Sequence, residues 1–77
     1  MQFELSHPEV GQPDQIQVVS FHQFHDLMAH LTTLVAQWNG LYDHEILHFR
    51  IRKVPDGTET LGISVNDKVD MKAVFGG

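Results

Sequence analysis

The sequence predicts a two-layer α+β domain: one helix on one face of a mostly antiparallel sheet of four or five strands, in the order ββαβββ. Three observations predict it. One stretch, residues 19–41, repeats its apolar side chains with helical spacing. The segments on either side alternate apolar and polar with a period of two. Strong turn formers separate those segments: Pro8, Gly11 and Pro13, then Pro55-Asp56-Gly57, then Asn66-Asp67. Seventy-seven residues hold one domain, 1–77, with one modest core.

The helix has the clearest signature. Phe21, Phe24, Met28, Leu31, Val35 and Trp38 recur at spacings of three and four, and Leu27 and Leu34 widen the stripe. At 100° per residue these positions span an arc of roughly 140°, the width of a core-facing side. His22, Asp26, His30, Thr33 and Gln37 fall opposite. Ser20 stands where an N-cap belongs, with Gln23 three residues on to complete a capping box. Asn39-Gly40 ends the pattern, with Gly40 free to take a left-handed conformation.

The strands follow in order. Met1, Phe3 and Leu5 alternate with Gln2 and Glu4, and residues 6–14 read as a loop or wide turn. Ile16 and Val18 mark a short second strand that runs into the helix cap. Leu47, Phe49 and Ile51 point inward from the third strand, with His48, Arg50 and Arg52 outward. In the fourth, Leu61, Ile63 and Val65 are expected inward, with Gly62 and Ser64 outward. In the fifth, Val69, Met71, Ala73 and Phe75 alternate with Asp70, Lys72 and Val74. That strand is apolar enough to predict a central position, since edge strands are normally blunted.

The totals exclude several classes. The chain has no cysteine, so disulfides, thiol catalysis and cysteine-based zinc sites are excluded. No apolar run approaches a membrane span and no N-terminal signal pattern is present, so a cytoplasmic protein is expected. The net charge is −5. Residues 1–49 hold six acids and no Lys or Arg, and residues 50–77 hold all five basic residues. That imbalance argues against nucleic-acid binding through phosphates and suits a protein partner or plain solubility.

Two constellations test for catalysis or metal. His44-Glu45-Ile46-Leu47-His48 matches H-E-x-x-H, whose chemistry needs both histidines one turn apart on a helix. Here the motif runs into a strand, where residues 44 and 48 stand about 13 Å apart, too far to share a zinc. His22, Asp26 and His30 form a ladder at i, i+4 and i+8, but two side-chain ligands at a time hold a metal weakly. No metal, cofactor or catalytic residue is expected. The outer sheet face, with Glu4, His48, Arg50, Arg52, Asp70 and Lys72, is the expected partner-binding surface.

The ending is distinctive: Asn66-Asp67-Lys68-Val69-Asp70-Met71-Lys72-Ala73-Val74-Phe75-Gly76-Gly77. A polar turn, an alternating strand and a terminal Gly-Gly, together with the ββαβββ order and the length, resemble the ubiquitin-like β-grasp proteins. Those include the small sulfur carriers of thiamine and molybdenum-cofactor biosynthesis. The resemblance implies a last strand in mid-sheet, parallel to the first. It also implies a non-enzymatic carrier or modifier whose Gly77 carboxylate an E1-like enzyme adenylates, with Gly76 as spacer. The alternative expectation is a small acidic inhibitor of the kind phages use, an anti-CRISPR or other anti-defence protein acting by protein–protein interaction.

Overall fold

A computed structural model describes residues 1–43 and 45–74. The architecture is the expected one: a single helix on a five-stranded sheet. The elements are β1 (Gln2–Glu9), β2 (Gln12–Phe21), α1 (Phe24–Tyr42), β3 (Leu47–Val54), β4 (Glu59–Val65) and β5 (Lys68–Val74). The strand order is β2-β1-β3-β4-β5, and every pairing is antiparallel.

The core lies where α1 crosses β1 and β3. Leu27, Leu31, Leu34, Val35 and Trp38 of α1 meet Phe3 and Leu5 of β1 and Leu47, Phe49 and Ile51 of β3. Three side-chain hydrogen bonds among the described residues fasten the helix to the loops around it. The Trp38 indole N–H donates to the Glu45 carbonyl at 3.0 Å, closing the turn from α1 into β3. The Gly11 amide donates to the Tyr42 hydroxyl at 2.8 Å, tying the β1–β2 hairpin tip to the end of α1. The Asn39 amide donates to the Asp67 carboxylate at 2.6 Å, holding the β4–β5 turn.

Several expectations are corrected. The helix starts at Phe24 and not at Ser20, because β2 continues to Phe21 and the sheet ladder pairs Ser20 with Glu4. Gln23 is the N-cap, without a side-chain capping bond. Gly40 lies inside α1, and Asp43 takes the left-handed C-cap conformation at φ 44°. The expected loop at 6–14 shrinks to a turn at Val10-Gly11, with Pro8 and Pro13 inside strands and a register shift between Pro8 and Glu9.

The fourth strand is in the opposite phase to the expected one. Gly62 and Ser64 face the helix side, buried opposite Phe49 and Leu47, and Leu61, Ile63 and Val65 face away. The cause is the Phe49 ring, which lies across Gly62 so closely that a Cβ there would sit inside it. One large side chain from β3 fills the space that two cross-strand neighbours would share, so the core needs nothing from residue 62.

The last strand is also corrected. β5 pairs only with β4 and is an edge, neither central nor parallel to β1. The sheet therefore lacks the strand order of a β-grasp, and Phe75, Gly76 and Gly77 lie outside the described residues.

Two glycine substitutions test this packing in opposite directions. Gly62→Ala should lower stability by about 1–3 kcal/mol, because the Phe49 ring must move. Gly40→Ala, with open space around residue 40 in the helix, should raise stability by about 0.5–1 kcal/mol. Urea unfolding of both variants against the parent chain measures the two signs.

Candidate binding surface

The sheet face opposite α1 collects the side chains of one parity from all five strands. The register places Ser20 beside Glu4, Glu4 beside Arg52, Arg52 beside Glu59 and Glu59 beside Val74. The next row is Val18, Ser6, Arg50, Leu61 and Lys72. Two residues further along the strands, Ile16 lies beside Pro8, His48 beside Ile63, and Ile63 beside Asp70. All six expected partner-binding residues, Glu4, His48, Arg50, Arg52, Asp70 and Lys72, therefore share this face.

The apolar share of the face was not expected. Ile16 is 64% exposed, Val18 59% and Leu61 46%, which is unusual for branched aliphatic residues in a sheet. With Pro8 they make one ridge on β1 and β2, and with Ile63 another on β4. His48, Arg50 and Arg52 of β3 run between the ridges at intervals of about 6.7 Å. A cleft of about 440 Å³ opens between His48, Leu61, Ile63, Asp70 and Lys72. A second, of about 310 Å³, reaches from Pro8 and Ile16 across His48 and Arg50 to Leu61. A third, of about 280 Å³, lies among Glu4, Val18, Arg50, Arg52 and Glu59.

The sequence held two signals for this ridge structure. Val18-Val19 places two aliphatic residues side by side in one strand, which on a sheet means one on each face. Gly62 carried the other: a strand with only Thr60, Gly62 and Ser64 on one parity offers the core no large apolar side chain from that parity.

Charge is segregated by face. Arg50, Arg52, Lys68 and Lys72 lie on the outer face with three acids, Glu4, Glu59 and Asp70. The remaining seven acids share the rest of the chain with Lys53 alone. The outer face is thus close to neutral on a molecule of net charge −5. Arg50 reaches Glu59 at 3.6 Å, a partly exposed pair of small energetic weight.

The described histidines are dispersed over the fold. His44 of the H-E-x-x-H match lies outside the described residues, and His48 sits on β3 facing outward. His22 precedes α1, so the expected helical ladder is not formed. Among the described residues no group of three His, Asp or Glu side chains converges as metal ligands. His25 lies 3.7 Å from Asp26 on the open surface. No helix among the described residues is long and apolar enough to cross a membrane.

Two histidines instead meet between the layers. His7 of β1 is buried, and its Nδ1 lies 2.6 Å from the Pro8 carbonyl. A carbonyl only accepts, so Nδ1 carries the proton, and Nε2 is buried without a partner. The His30 ring on α1 lies 6.1 Å from the His7 ring and 5.3 Å from Phe21. Burial, and secondarily His7, hold the His30 pKa below the usual histidine value.

Compared with known proteins, the chain matches no family model, no curated relative and no solved structure.

The lowered His30 pKa fixes the sign of a pH effect. Between the folded pKa and the ordinary histidine value of about 6.5, the unfolded chain binds the proton that the folded chain refuses. Stability should therefore fall as pH drops below about 6.5. His30→Gln should flatten that decline, which urea midpoints at about pH 7.5 and about pH 5.5 will measure.

Proposed function

We propose that this protein is a non-catalytic binding protein that captures another protein on the outer face of its sheet, as small inhibitors do when they block an enzyme or a defence complex. One observation carries the reading. Ile16, Val18 and Leu61 stand exposed on a sheet face that no element among the described residues covers, flanking a column of His48, Arg50 and Arg52. Apolar ridges around a polar centre suit a surface that is dry where it binds and specific where it is charged. Burying one such aliphatic side chain contributes about 1.5–3 kcal/mol, so the ridges supply apolar anchors that the charged column between them supplements. Near-neutrality supports the same reading. This face lets a protein approach without meeting the acidic remainder of the chain.

The carrier reading makes a different demand. It needs a free, activatable Gly77, and it no longer has a β-grasp strand order to support it. The binding reading leaves the C-terminus free to be blocked.

A photo-crosslinking residue placed at Leu61, in cells that make the protein, should yield a covalent adduct with another polypeptide. The same residue at Ala29, on the solvent side of α1 and away from every cleft described, should not. Leu61→Glu combined with Arg50→Glu should weaken that partner's binding at least about tenfold without loss of fold, and a C-terminal tag should leave it unchanged. Adducts absent from Leu61, with activity lost on blocking Gly77, would overturn the binding reading in favour of the carrier.

A further inference from the structure

β5 leaves one edge of the sheet open, and its side chains alternate between charged Lys68, Asp70 and Lys72 and apolar Val69, Met71 and Ala73. The turn before it decides which groups face that edge. Asn66 and Asp67 have φ of 52° and 66°, the signature of a two-residue type I′ hairpin. Val65 and Lys68 flank this turn and form the closely hydrogen-bonded pair. Parity then assigns the remainder. Lys68, Asp70 and Lys72 exchange hydrogen bonds with β4, and Val69, Met71 and Ala73 turn their N–H and C=O groups outward.

That outward set is self-complementary. A two-fold axis at Met71 sets two β5 strands antiparallel with Met71 opposite Met71 of the second copy and Val69 opposite its Ala73. These are the residues whose backbone groups are free, so the pairing makes six N–H···O=C bonds. Asp70 falls opposite Lys72 of the second copy, twice by symmetry, in the positions where side chains approach most closely. Neither has an ion-pair partner among the described residues. Centring the axis on Asp70 or on Lys72 would set like charges opposite each other. On the helix side, Val69 lines an apolar cleft of about 340 Å³ with Met28, Leu31, Val35 and Ala36, and Ala73 of the second copy would stand at its mouth. The opposite edge, β2, is interrupted by Pro13, which has no N–H to give.

We infer that β5 is a homodimer edge: two copies join through β5 in the Met71-centred register to form one ten-stranded sheet. The contact is isologous and closed, so it stops at two copies. It leaves the outer face open and doubles its width, independently of what binds there.

Sedimentation equilibrium from about 10 µM to about 1 mM should show a species of twice the 8.8 kDa chain mass. Asp70→Lys and Lys72→Asp should each weaken the dimer roughly tenfold or more, by placing like charges opposite. The double swap, Asp70→Lys with Lys72→Asp, restores unlike pairs in the same register and should restore the dimer. Met71→Pro removes an outward N–H, spares the bonds to β4, and should give a folded monomer by circular dichroism. A chain monomeric throughout this range would overturn the inference. A dimer indifferent to the single charge changes, or one that the double swap fails to restore, would overturn it equally.

Discussion

One helix cannot cover five strands, and most features of this molecule depend on that limit. An α-helix with its side chains is about 10–12 Å across, whereas the outermost strand axes of a five-stranded sheet lie about 19 Å apart. The core therefore concentrates beneath α1, on β1 and β3, where Leu5, Leu27, Leu31 and Leu47 are almost wholly enclosed. β2 and β5 extend beyond that cover, and the whole opposite face stays open. The distribution of side chains follows: enclosed aliphatics where two layers meet, and exposed ones where a second molecule would have to supply the missing layer.

The elements legible in the sequence are those whose pattern has only one solution. Leu31, Val35 and Trp38 had to face inward together, because a helix offers one stripe and the chain has one helix. The third strand was equally constrained, since His48, Arg50 and Arg52 could not enter a small core. β4 was not constrained in this way. Leu61 and Ile63 look like core residues, and only the Phe49 ring lying over Gly62 reverses them. Alternation gives the period of a strand, but a neighbour gives its phase. The helix start was misplaced for a similar reason: Ser20 is a good cap, but the hairpin partner Glu4 claims it for the ladder first.

The candidate surface divides along the same line. Its charged half, from Glu4 to Lys72, could be read because charged side chains declare which way they face. Its apolar half could not, because an aliphatic residue reads as core until the register is known. The His7–His30 contact was hidden for another reason. It joins residues 23 positions apart across two layers, and helical phase alone placed His30 on the wet side.

The strand order also bears on how the sheet could be built up along the chain. β2 pairs back on β1, β3 joins the free side of β1, β4 joins β3 and β5 joins β4. In this order each strand from β2 onward pairs with one that precedes it in the chain, and no later strand lies between two earlier ones. A β-grasp order would instead keep its centre empty until the last residues were synthesised. Here the final strand shields its predecessor and is not a keystone. A nascent or clipped chain that ends at Val65 would keep its core and expose the β4 edge, beside Leu61 and Ile63, to the first unpaired strand it meets.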